Sequence, residues 1–221
     1  MHPPAKRVRL SPEARRAQLI ELGVEMLATR TLDELSVELI AQKAGISRGL
    51  LFHYFASKRE FHVEVARAAA GEMIRRTEPN LAQPPVEALR HALDAFMSYV
   101  EENPDNYKSL VRGAASGDAE MRAIFDATRA TMAQRIIAVV DQLGFTLSAR
   151  ASLAVHGWVA FVEECVVRWI ADNVEPGPGS VGREELLEML TKSLPAITLA
   201  ASDGEIGTLV QILTASEELS G

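Results

Sequence analysis

The sequence predicts an all-α protein, with a small helical unit reaching to about residue 56 and a larger helical domain over 57–221. Two observations carry this. Nearly every long segment spaces its apolar residues at the helical period, and no run of alternating β-branched residues marks a strand. The breaks between segments also carry the caps and turn residues that start and stop helices. A chain of 221 residues, 48% hydrophobic and 24% charged, is long enough for a sizeable core and too apolar to be disordered.

The first helix opens at Ser11-Pro12, serine as N-cap and proline at the first helical position. Leu19, Ile20, Val24 and Leu27 share one side of it, and it ends before Thr31. The second begins at Ser36, puts Val37, Ile40 and Ala44 on one face, and stops at Gly45. The third starts at Ser47. The fourth starts at Ser57-Lys58-Arg59-Glu60, a capping box in which serine and glutamate each satisfy a backbone donor of the first turn, and runs to about Arg76. Pro84-Pro85, Asn103-Pro104, Ser116-Gly117 and Gly144 then separate helices expected over 86–102, 105–113, 118–143 and 148–172. Residues 173–182, rich in glycine and proline, form a loop before a last helix over 183–194. There is no internal repeat.

Charge is distributed unevenly. The net charge is −7, yet residues 1–60 hold 10 Lys and Arg against 7 Asp and Glu, and the rest of the chain holds 13 against 23. A basic end, densest at Lys6, Arg7, Arg9, Arg15 and Arg16, on an acidic body suggests that one end meets a polyanion. The single cysteine, Cys165, excludes an intramolecular disulfide and fits a reducing compartment. The start of the chain lacks the apolar stretch of a secretory signal, and the longest uncharged apolar run, 151–162, is too short to span a bilayer. A cytoplasmic protein is expected.

Ala44-Gly45-Ile46-Ser47 has the spacing of a helix-turn-helix: glycine permits the tight turn, Ile46 enters the core, and Ser47 caps the next helix. In such a pair the second helix lies in the DNA major groove with its first residues at the base edges. Those residues here are Ser47, Arg48, Gly49, Leu50, Phe52, His53 and Tyr54, followed by Lys58. Arginine can pair bidentately with guanine, and glycine allows close approach. The run from Ile40 to Phe61, IAQKAGISRGLLFHYFASKREF, closely resembles the DNA-binding signature of the TetR (tetracycline-repressor-like) family, the detailed match covering about residues 11–61.

The resemblance implies a transcriptional regulator, usually a homodimeric repressor that a small ligand in the C-terminal domain releases from a palindromic operator. It also implies that Ser36 touches phosphate, that Ser47, Arg48, Gly49 and Leu50 face bases, that Phe52, His53 and Tyr54 contact backbone and bases, and that Lys58 meets a phosphate. Lys6, Arg7 and Arg9 would add contacts from the basic arm. The family usually has Thr at position 50, Tyr at 52 and His at 54, so Leu50 and Phe52 lack two expected hydroxyls. Leu50 can instead meet a thymine methyl. Glu38 would repel phosphate unless it points away.

Two enzyme-like patterns lack their context. Gly45-Ile46-Ser47-Arg48-Gly49 fits G-x-S-x-G but follows a helix, whereas a nucleophile elbow follows a strand. Gly177 to Gly182 fits G-x-G-x-x-G but has proline inside the turn and no βαβ unit around it. His91, His156, Glu163, Glu164 and Cys165 show no metal-ligand spacing. No catalytic residue, metal or cofactor is expected.

The 148–172 helix carries Val155, Val159, Val162, Val166 and Ile170 as its core stripe and is apolar beyond it. A second buried face is therefore expected at Trp158, Phe161, Cys165 and Trp169, and the resemblance implies that it joins Leu186, Leu187, Leu190 and Leu194 of the last helix in a four-helix seam between two copies. Candidate pocket residues are Phe96, Met97, Tyr107, Met121, Phe125 and Met132, with His156 and Glu163 as polar contacts. The methionines and the 5% aromatic content suit an oily or acyl-like ligand. A DNA-binding protein without an effector is the alternative, and it would show no cavity among the C-terminal helices.

Overall fold

The computed structural model describes residues 11–105, 107, 111, 117–172 and 180–201. Among them are eight α-helices, one 3-10 turn at Leu32–Glu34, and no strand. The helices are α1 (Pro12–Met26), α2 (Val37–Ala44), α3 (Arg48–Tyr54), α4 (Lys58–Arg76), α5 (Pro85–Glu102), α6 (Ala119–Gln142), α7 (Ala149–Asp172) and α8 (Arg183–Ala200). Asp105, Tyr107 and Val111, from the segment expected as a helix over 105–113, are helical. Lys6, Arg7, Arg9 and the glycines at 177 and 179 lie outside the described residues.

Four serines start the first four helices by one device. The hydroxyls of Ser11, Ser36, Ser47 and Ser57 accept from the N–H groups of Ala14, Leu39, Leu50 and Glu60, at 3.0–3.2 Å. The expected box at Ser57 is modified, because the Glu60 carboxylate reaches back to the N–H of Ala56 at 2.7 Å. The last helix runs past the expected end at 194 to Ala200, through Pro195. Proline removes one N–H from the ladder. Leu194 before it and Ile197 after it still pack into the body core, which holds the helix together.

Helices α1–α3 close around Leu19, Leu27, Leu35, Ile40, Leu51 and Phe55. Phe55 and Phe61 meet edge to face with ring centres 5.0 Å apart, both fully buried. Each such ring contributes roughly 1.5–3 kcal/mol by burial. This core is shared. Phe61, Val65, Ala66 and Ala69 of α4 belong to it, and so do Met121 and Ile124 of α6.

The remaining helices form the body around Met97, Val100, Val155, Val166, Leu187 and Leu190. Helices α4 and α6 run side by side in the same direction: Arg59 meets Asp118 at their starts, and Arg135 meets Ile74 sixty-odd residues apart near their ends. Helices α7 and α8 are antiparallel, with Trp158 on Ser193 and Trp169 on the carbonyl of Val181. No helix among the described residues is long and apolar enough to cross a membrane.

Candidate nucleic-acid interface and ligand cavity

The turn between α2 and α3 depends on Gly45, whose φ of 63° and ψ of 36° lie in the left-handed region. Glycine adopts it without the steric cost of a Cβ. Its N–H and that of Ile46 close on the carbonyls of Gln42 and Ala41, and Ile46 packs against the core, as the spacing implies. Helix α3 then buries Leu51 while Phe55, its C-cap, is also buried. Ser47, Arg48, Gly49, Leu50, Phe52 and His53 face outward, with Tyr54 half-buried.

Leu50 and Phe52 are 39% and 38% exposed, an apolar pair left uncovered on an otherwise polar face. The Arg48 guanidinium sits 5.6 Å from the Phe52 ring centre and pairs with Glu38 at 3.0 Å. Glu38 therefore does face the recognition helix, and Arg48 neutralises it. Lys58 donates to the carbonyl of Asp33 at 3.2 Å, and the Ser36 hydroxyl oxygen accepts from the N–H of Leu39 at 3.2 Å. Arg16, counted in the basic arm, is instead held by Glu60 and Glu64, each at 3.5 Å, over the Phe55 ring. A Cβ on Gly49 would meet nothing within 4 Å.

The body holds a cavity of about 180 Å³ between α4, α5, α6, α7 and α8. Its wall is mainly apolar: Met73, Leu89, Phe96, Met132, Ile136, Val159 and Leu194 among others, with Trp158 on one side. Of the expected pocket residues, Phe96, Met132 and Glu163 line it. The others do not. Met97 is fully buried in the body core, and Met121 packs into the core of α1–α4. Tyr107 is buried against Phe96, with ring centres 5.6 Å apart. Phe125 lies under Arg129 in a second cleft of mixed lining, and His156 is exposed. Residue period alone gives the apolar side of a helix, and each of these helices has more than one.

Glu163 accepts from Arg129 at 2.6 Å and from the Tyr107 hydroxyl at 3.2 Å. Burial raises its carboxyl above the ordinary range in spite of both partners, and burial also lifts Tyr107 well above its usual value. Tyr107 is thus a neutral donor holding a carboxylate. Arg135 also lines the cavity and is not among the pocket residues expected from the sequence. A signal existed: Met132, Arg135, Ile136, Val139 and Val140 recur at helical spacing, one cation on an apolar stripe. No group of three metal-ligating side chains occurs among the described residues.

The expected seam between copies is corrected in part. Trp158, Leu186, Leu187, Leu190 and Leu194 are no more than 8% exposed and belong to the protomer's own core. A side chain already covered by its own chain cannot offer that surface to another. Phe161 is 38% exposed, Cys165 and Trp169 are half-buried, and Leu153, Met189 and Leu199 lie uncovered on α7 and α8.

Residues 19–65 match the family model described as bacterial regulatory proteins, tetR family, and residues 85–196 match the tetracyclin repressor-like C-terminal domain. The chain is 22% identical over 172 residues to the HTH-type transcriptional activator FasR of Mycolicibacterium smegmatis, covering 75% of this chain and 76% of that one. Its fold superposes on a tetR-family transcriptional regulator from Streptomyces coelicolor with a TM-score of 0.81 at 27% identity, over 93% of this chain and 90% of that one. It also resembles the regulator FadR of Bacillus subtilis, solved in complex with stearoyl-CoA, with a TM-score of 0.58 at 17% identity over 82% and 97% of the two chains. The first family model covers the turn and the recognition helix, the second covers the cavity-bearing body and about half of the sequence, and the chain therefore belongs to the TetR family of DNA-binding transcriptional regulators.

Proposed function

We propose that the protein is a homodimeric repressor that leaves a palindromic operator when a small, mainly apolar ligand enters the cavity. One observation carries this reading: the two helices that wall the cavity on one side, α4 and α6, also supply residues to the core beneath the recognition helix. A ligand that binds better with those helices displaced shifts the population toward a form unfit for DNA, by no more than its differential affinity.

Two recognition helices fit a palindrome only when they stand roughly 34 Å, or a multiple of it, apart. The uncovered apolar residues Leu153, Phe161, Met189 and Leu199 on α7 and α8 support pairing of two copies through that face. Arg48, Gly49, Leu50, Phe52, His53 and Tyr54 would meet the groove, with Ser36, Ser47, Lys58 and the arm at Lys6, Arg7 and Arg9 near phosphate. The FadR neighbour, with its bound acyl thioester, supports an oily ligand for a cavity of this composition.

The test is fluorescence anisotropy on duplex DNA from upstream of the protein's own gene, against an unrelated duplex, across a salt series. Selective binding of two protomers per site is expected. Equal, weak and salt-sensitive binding to both duplexes would overturn the operator reading.

A further inference from the structure

Two arginines line the cavity, and the chain treats them differently. Arg129 is neutralised by Glu163 at 2.6 Å. Arg135, half-buried, has no carboxylate within ion-pair distance among the described residues. Its Nη1 donates to the carbonyl of Ile74 at 2.8 Å and lies 3.4 Å from the Thr77 hydroxyl, both neutral acceptors. Its Nε and Nη2 donate to no described residue. A guanidinium against an apolar wall loses hydration that two neutral acceptors replace only in part.

We propose that the ligand of this cavity is an amphipathic anion, its apolar body between α5, α6, α7 and α8 and its one anionic group on Arg135. The proposal rests on the reading of the cavity as an effector site and names the chemistry of that effector. A guanidinium offers two parallel donors to a carboxylate or a phosphate, and a partly dehydrated site strengthens such a pair. A cationic ligand is repelled at the same point. The position of Arg135 adds a consequence. Ile74 lies in the last turn of α4, where carbonyls lack helical partners, so Nη1 caps the helix that leads to the recognition helix. An anion drawing on the same guanidinium pulls on that cap.

A capping role alone would explain Arg135 without any ligand, so the test must separate the two. Trp158 on the cavity wall supplies a fluorescence signal. Decanoate, decyl phosphate and decanol are titrated into the full chain and into Arg135→Gln and Arg135→Lys. The wild type is expected to bind an anion roughly tenfold or more tighter than the alcohol, and the tighter of the two anions identifies the headgroup. Arg135→Gln should bind decanol as the wild type does and lose the preference, while Arg135→Lys keeps part of it. Equal binding of anions and alcohol by the wild type overturns the proposal and leaves the effector cavity standing. Retention of the preference in Arg135→Gln also overturns it. Failure of all three probes to bind the wild type overturns the effector reading itself. Should Arg135→Gln not fold, the wild-type comparison and Arg135→Lys still decide.

Discussion

Gly49 occupies a helical position on α3 where glycine costs stability and the protein does not need it, since a Cβ there would touch nothing. Gly45, four residues earlier, is the opposite case, its positive φ required by the turn. The vacancy at Gly49 makes sense if something outside the chain comes close to its backbone. Gly49→Ala should therefore raise the unfolding midpoint slightly, by about 0.5–1 kcal/mol of helix stability, while lowering operator affinity. Denaturation and anisotropy on one preparation check both signs, and unchanged affinity would show that the groove does not approach this point. His62 makes a second case at this scale. Its Nε2 lies 2.8 Å from the carbonyl of Leu35, and burial holds its pKa below the usual 6.5. A depressed histidine favours the folded state while neutral, so its contribution is complete above about pH 6.5 and is lost as pH falls below it. The melting temperature should drop as pH falls below about 6.5 in the wild type, and less in His62→Asn.

The helices themselves were readable because their starts are local. Ser11, Ser36, Ser47 and Ser57 each close a turn with a donor three residues on, and the chain needs nothing distant for that. Helix α8 ran beyond its expected end because tertiary packing around Leu194 and Ile197 outweighs the missing donor of Pro195. Close packing between elements was not readable at all. A Cβ on Gly23 of α1 would stand 2.5 Å from a methyl of Val65 and 3.1 Å from the Phe61 ring, so glycine lets α1 lie against α4. Nothing in the α1 sequence says which helix needs that space. Gly23→Ala should cost roughly 1–3 kcal/mol through overpacking, read as a lower denaturant midpoint with an unchanged slope. A midpoint equal to the wild type would mean that the two helices slide apart freely.

At the scale of the molecule, the exposed face of the turn and α3 was legible since 47–58 are contiguous, whereas five helices contribute to the cavity wall and sequence order does not bring them together. The same holds for the two helices that join the head core to the cavity wall. Helices α4 and α6 lie side by side from the head core to the cavity, with Phe61 and Val65 beside Met121 and Ile124 at one end and Met73 beside Met132 and Arg135 at the other. Their starts are bolted together. Arg59 donates twice to Asp118 at 2.9 Å and meets Glu120 at 2.7 Å, while Asp118 also caps α6. The Arg59 guanidinium and the α6 cap hold the Asp118 carboxyl down at about 2, so the bolt stays charged throughout the physiological range. Exposed pairs of this kind contribute little to stability, which makes the bolt separable from the fold. Arg59→Gln should leave ligand affinity and the melting temperature near their wild-type values. It should reduce the factor by which ligand weakens operator binding, typically about 5–150-fold in such systems, toward unity. Linkage demands that operator DNA then weakens ligand binding by the same reduced factor, so the two titrations check each other. An undiminished factor in both would place the coupling in the packing of Met121 and Ile124 and not in the ion pairs.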